Sequence, residues 1–128
     1  MTERILVVDD NADSADSLAK LVGILGYEAK AVYSGQQAID AAKDFLPDMA
    51  LIDLGMPYLD GFETVQQIRE QRPGSHAILV AVTGWTSDED NRRAYESGFD
   101  LHVPKPISIE KVQELLALLN PALERLSG

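Results

Sequence analysis

Three short runs of uninterrupted apolar residues, Ile5–Val8, Met49–Ile52 and Ala77–Val82, restrict what this chain can fold into more than any other feature. With no polar residue at alternate positions, each suits a strand covered on both faces, and such strands belong to a parallel sheet with helices on each side. Two further segments read as strands at the sheet edges. Glu28–Val32 alternates polar and apolar residues, and Leu101–Val103 is short and interrupted by His102.

Between the strands, apolar residues recur at spacings of three and four. Leu18, Leu21, Val22 and Leu25 predict a first helix closed by Gly26; Ala38, Ile39 and Ala42 a second stopped by Pro47; Phe62, Val65 and Ile68 a third stopped by Pro73. Ser87–Ser97 predicts a fourth, in which Ala94 and Tyr95 are the only apolar members. Asp88–Arg92 and Glu89–Arg93 pairs support it and Gly98 ends it. Val112, Leu115, Leu116 and Leu119 predict a fifth, and Asn120-Pro121 could cap a short helical tail. Five strand–helix repeats with right-handed crossovers give an α/β fold: one doubly wound, five-stranded parallel sheet flanked by five helices. The expected organisation is one domain over residues 1–120, with 121–128 a short tail or the start of a linker.

Composition removes several function classes. A chain of 128 residues can bury a real core, and the lack of cysteine excludes disulfides, thiolate catalysis and cysteine zinc sites. Twenty-one acidic residues against 11 basic ones give a net charge of −10, a poor surface for holding phosphate backbones, so direct nucleic acid binding is not expected. No signal peptide or bilayer-length apolar run is present, so the expected protein is soluble and cytoplasmic, without a membrane partner.

In a doubly wound sheet the functional crevice lies outside the carboxyl ends of the strands, so polar residues there carry the most information. Asp9 and Asp10 follow the first strand, Asp53 ends the third, Thr83 ends the fourth and Lys105 follows the fifth, while the second strand ends at Tyr33-Ser34. Each has an ordinary explanation. Asp9, Asp10, Asn11 and Asp13 could cap the first helix, Thr83 could be a plain strand-end hydroxyl, and Lys105 a solvated residue before a turn proline. Together, however, four strand ends deliver three carboxylates, a hydroxyl and an ammonium to one rim, which independent caps do not explain.

The set "VVDD", "LIDLGMP" followed by "DGFE", "VAVTG" and "HVPKP" closely resembles the receiver domain of bacterial two-component response regulators, in order and spacing, from Arg4 to about Leu119. The resemblance implies a flavodoxin-like sheet of strand order 2-1-3-4-5. It implies that Asp53 accepts a phosphoryl group from the phosphohistidine of a sensor histidine kinase or phosphotransfer protein. Three carboxylates close together repel, by about 4 kcal/mol per pair at ~4 Å and an effective dielectric constant of ~20, and oxygen ligands at this density suit Mg²⁺. By the family pattern, Asp10 and Asp53 would ligate the ion directly, Asp9 through water, and Gly55 through its backbone carbonyl. Lys105 would pair with a phosphoryl oxygen, Thr83 would donate its hydroxyl, and the Lys105–Pro106 bond would be cis and aim the lysine inward. Movement of Thr83 would then shift the face made by the fourth helix, fifth strand and fifth helix, for a downstream protein or a covalently linked output domain.

Some positions depart from the commonest family pattern. The switch position, usually tyrosine or phenylalanine, is His102, a type that can titrate near neutrality; it either reports the switch or sits half exposed on an edge strand. Trp85 after Gly84 either packs on its own loop or covers the aspartyl phosphate, which Gly55 would otherwise leave open to water. Leu118 falls on the Lys111–Glu114 stripe and, with Leu123 and Leu126, would form a partner patch or be covered by the tail; His76 is a loop residue without a role. Two other functions stay open: a receiver-like interaction module that is not phosphorylated, and a metal-dependent phosphatase-like enzyme using Asp53. The enzyme would favour a second aspartate two residues beyond Asp53, where Gly55 stands, and the first strand's acids disfavour a flavin phosphate.

Overall fold

A computed structural model describes residues 3–54, 61–71, 77–84 and 88–119, without the side chains of residues 88–91 and 94. Strands β1 (Arg4–Val8), β2 (Glu28–Val32), β3 (Met49–Asp53), β4 (Ile78–Thr83) and β5 (Leu101–Pro104) alternate with helices α1 (Ala12–Ile24), α2 (Gly35–Phe45), α3 (Gly61–Gln71), α4 (Asp88–Ser97) and α5 (Ile109–Ala117). All strands are parallel, in the order β2-β1-β3-β4-β5, so the two segments read as edges are the edges.

The continuous apolar runs form the central strands because both their faces are covered. Leu6, Ala50, Ile52 and Leu79 point into one core with α2 and α3, while Ile5, Met49, Leu51 and Val80 point into the other with α1 and α5. Burying each of the larger aliphatic side chains contributes roughly 1.5–3 kcal/mol, which outweighs any local preference for another conformation. β4 begins one residue later than its apolar run and ends on Thr83. Its ladder starts where the Ile78 amide donates to the Asp48 carbonyl at 2.9 Å, leaving Ala77 before the strand.

Local signals set the helix ends. Asn11, Ser34 and Ser108 each accept a hydrogen bond from the backbone amide three residues on, at 3.1 Å, capping α1, α2 and α5. Gly26, with φ of 102°, takes the left-handed turn after α1. Leu46, ahead of Pro47, takes φ of 52°, because a following proline disfavours the helical conformation and α2 must stop. On α5, Val112, Leu115 and Leu116 are buried, whereas Leu118 is 44% exposed, as its place on the Lys111–Glu114 stripe requires.

α4 has little apolar surface to bury, and specific contacts hold it instead. The Arg93 guanidinium lies 4.2 Å over the Phe62 ring, and Arg69 of α3 donates to the Gly98 carbonyl at 2.9 and 3.1 Å just past the helix end. Arg69 also bonds Asp100 at 2.7 Å, and that carboxylate accepts the Leu79 amide at 2.8 Å, tying α3, β4 and the start of β5 at the rim opposite the acids. The expected features at Ser87, the Asp88–Arg92 and Glu89–Arg93 pairs, Pro73, His76, Asn120-Pro121, Leu123 and Leu126 lie outside the described residues or side chains. Among the described residues no helix is long and apolar enough to cross a membrane.

Candidate functional site

At the carboxyl rim of the central strands the fold collects the predicted polar residues. Asp9 follows β1, its amide donating to the Val32 carbonyl at 3.2 Å and its Oδ1 accepting the Asn11 amide at 3.0 Å, so a local turn fixes its carboxylate. Asp10 beside it is exposed. Asp53, the last residue of β3, is only 5% exposed, and one carboxylate oxygen from each of Asp9, Asp10 and Asp53 lies within 4.8 Å of the others. Capping alone would not have buried Asp53; Asn11, not these acids, caps α1.

Lys105 reaches the same point from the other side. Its amide donates to the Thr83 carbonyl at 2.9 Å, the Lys105–Pro106 peptide is cis, and its Nζ stands 2.9 Å from Asp53 Oδ1. Thr83, the last residue of β4, is buried, with Pro104 opposite it in the ladder. Lys105 is therefore not a merely solvated lysine, although its side chain keeps 42% of its exposure.

Three carboxylates against one ammonium leave the cluster short of positive charge. Partial burial pushes the Asp9 carboxyl above its usual range, and the Asp53 carboxylate pushes it the same way, while the Asn11 amide and Lys105 draw it down. An all-oxygen donor set of this charge, with one member buried, fits a hard divalent cation and suits neither soft metals nor an anion. An open groove of about 400 Å³ adjoins the cluster, bordered by Asp9, Ser14 and Leu18 on the α1 side and by Lys105, Pro106 and Ile107 on the other.

His102 does not join the cluster. It is half-buried on β5, where the Tyr95 hydroxyl of α4 and His102 Nδ1 are 2.8 Å apart and the two rings meet edge to face at 5.4 Å. Gly55 and Trp85 lie outside the described residues. Three relationships had no sequence signal: the Tyr95–His102 pair, the Tyr33 hydroxyl bound to Asp16 Oδ1 at 2.6 Å, and the close fit of Gly61 under the end of β3.

The chain belongs to the response regulator receiver domain family, whose sequence model matches residues 5–117, and that membership supports a phosphoacceptor signalling role. The polar-differentiation response regulator DivK of Brucella ovis is 28% identical over 116 residues, covering 91% of this chain and 94% of DivK. A CheY-like receiver domain protein from Methanospirillum hungatei superposes with a TM-score of 0.85 at 25% identity, covering 98% of each chain. The receiver domain of the sensor histidine kinase PA1611 from Pseudomonas aeruginosa, solved with a magnesium ion coordinated in its active-site cleft, gives 0.80 at 28% identity, covering 91% of this chain and 95% of that one. Receiver domains are signalling domains that work with histidine kinases and downstream partners, and they bind Mg²⁺ in the active site.

Proposed function

We propose that this chain is a phosphorylatable receiver, in which Asp53 takes a phosphoryl group from the phosphohistidine of a sensor histidine kinase or phosphotransfer protein. The observation that carries this reading is the Lys105 ammonium 2.9 Å from a buried Asp53 carboxylate that Asp9 and Asp10 surround. In the transfer an Asp53 carboxylate oxygen bonds to phosphorus while the donor's P–N bond breaks, and that bond's electron pair stays on the histidine nitrogen. The domain acts on no other substrate and catalyses only its own phosphorylation and dephosphorylation.

Asp10 and Asp53 would hold Mg²⁺ directly and Asp9 through water, and the Gly55 carbonyl completes the set from the sequence pattern. The bound ion supplies positive charge to the transferring phosphoryl oxygens. Lys105 supplies a second positive charge from the opposite side, with enough exposure to turn from the carboxylate to a phosphoryl oxygen. Thr83 donates its hydroxyl, and its response, with His102 at the switch position, alters the α4–β5–α5 face for a downstream protein or a linked output domain. Residues 1–120 form the receiver and 121–128 a tail or the start of a linker. The net charge of −10 favours protein partners in the cytoplasm over nucleic acid or an anionic membrane.

Intact-mass measurement after incubation with acetyl phosphate tests the reading. The expected result is a gain of one phosphoryl group that needs Mg²⁺ and is absent in EDTA and in Asp53→Asn. Failure to gain it, together with failure to bind beryllofluoride, would make the non-phosphorylated interaction module the correct reading.

A further inference from the structure

Gly61, the first residue of α3, has no room for a side chain. A Cβ there would lie 2.7 Å from Leu54 Cδ2, 2.9 Å from Leu54 Cα and 3.1 Å from the Asp53 carbonyl oxygen. Two of these three atoms are backbone, so no side-chain rotation relieves the contact. Leu54 cannot withdraw either, because it is buried and its amide donates to the Val82 carbonyl at 3.2 Å. The end of β3 is thus gripped between β4 on one side and the start of α3 on the other. By contrast, a Cβ at Gly23 or Gly84 would meet nothing within 4 Å.

We infer that Gly61 is a positioning residue for the phosphoacceptor: by letting α3 start against the Asp53–Leu54 backbone, it sets where the Asp53 carboxylate stands relative to Asp9, Asp10 and Lys105. The effect on chemistry rests on the reading of Asp53 given above; the effect on geometry does not. A methyl group at Gly61 pushes the Asp53 carbonyl and Leu54 Cα outward by a few tenths of an ångström or more, and the carboxylate moves with its backbone. Displacements of this order in a reacting group cost far more in rate than in stability.

The test compares wild type with Gly61→Ala, Gly23→Ala and Ile68→Val. Ile68 is a buried residue of the same helix, and its loss of a methylene weakens the fold away from Asp53. In metal-free protein, the Asp53 carboxyl-carbon NMR signal should move in Gly61→Ala and stay in place in the other two. Mg²⁺ affinity by calorimetry and the rate of phosphorylation by acetyl phosphate should fall in Gly61→Ala alone, the rate by roughly ten- to a hundredfold. A folded Gly61→Ala with an unmoved Asp53 signal and wild-type Mg²⁺ affinity overturns the inference. An equal loss of rate in Ile68→Val overturns it too, since destabilisation would then suffice. If wild type itself takes no phosphoryl group, the functional reading fails, while the NMR comparison still decides the geometry. Should Gly61→Ala be poorly folded, all proteins are compared with trimethylamine N-oxide present, which favours the compact state.

Discussion

Lys105 Nζ and Asp53 Oδ1, residues that lie on different strand ends and far apart in sequence, stand 2.9 Å apart at the carboxyl rim of the sheet. The pair is asymmetric: the carboxylate side chain is 7% exposed and the lysine 42%. Solvent therefore screens the attraction, and its worth to stability is small, whereas its worth to a reaction that loads more negative charge onto Asp53 is larger. Lys105→Ala should lower stability by only about 1 kcal/mol yet slow phosphorylation by tenfold or more. Mg²⁺ affinity should hold or rise, because a competing cation has gone. Urea unfolding, intact-mass kinetics and calorimetry separate these effects; a variant that loses Mg²⁺ affinity and keeps its rate would reverse the assignment.

Asp9 gives the pH dependence. Its carboxyl titrates above the ordinary value of 3.8, chiefly through burial, so the native state holds that proton more tightly than the unfolded chain. Stability from this group is then fully present below the unfolded value and is lost as pH rises through the raised native value, making ionised Asp9 a cost at neutrality. In EDTA, Asp9→Asn, which keeps an oxygen for the Asn11 amide, should be more stable than wild type at about pH 7, and the gain should shrink toward about pH 4. Urea midpoints at the two pH values check this; a destabilised variant at neutrality contradicts it.

Metal should relieve the same crowding. Mg²⁺ at about a hundred times its dissociation constant stabilises a protein by roughly 2.7 kcal/mol if it binds only the native state, which for a domain of this size raises the melting temperature by about 10 °C. EDTA should abolish the rise, Asp10→Asn and Asp53→Asn should lose most of it, and Asp9→Asn should keep a part. Calorimetric melting with and without Mg²⁺ measures each, and an undiminished rise in Asp10→Asn would place the ion elsewhere.

The Tyr95 hydroxyl and His102 join α4 to β5, two elements of the face proposed above to respond to a change at the site. Tyr95→Phe keeps the ring contact and removes the hydrogen bond, so it should cost about 1 kcal/mol or less and shift the His102 ring signals in NMR. Beryllofluoride with Mg²⁺ should move the same signals in wild type. If they stay where they are, His102 takes no part in the switch and is simply a half-buried edge residue.

The sequence made the sheet legible because its central strands are covered on both faces and carry no polar residue: Ile5–Val8 and Met49–Ile52 can hardly be anything else. The rim was legible for a related reason. An acid such as Asp53 at the end of an apolar run has no packing reason to be there, and four strand ends converge on one place. What stayed hidden depends on approach in three dimensions. Arg69 and Asp100 meet only because α3 lies beside the start of β5, and Tyr95 finds His102 only when a sparsely apolar helix docks on an edge strand. Gly61 is the first residue of α3, and its lack of a side chain lets that helix start against the Asp53 backbone, a fit that no residue pattern in the sequence displays.

The most direct test of the central claim is to place the phosphoryl group on a single residue. Protein treated with acetyl phosphate and Mg²⁺ is reduced with borohydride, which converts an aspartyl phosphate to homoserine, and the peptides are sequenced by mass spectrometry. Homoserine at position 53, absent without Mg²⁺, is the expected result; conversion at Asp9 or Asp10 instead, or at no aspartate in a protein that also ignores beryllofluoride, would contradict the assignment of Asp53 as phosphoacceptor.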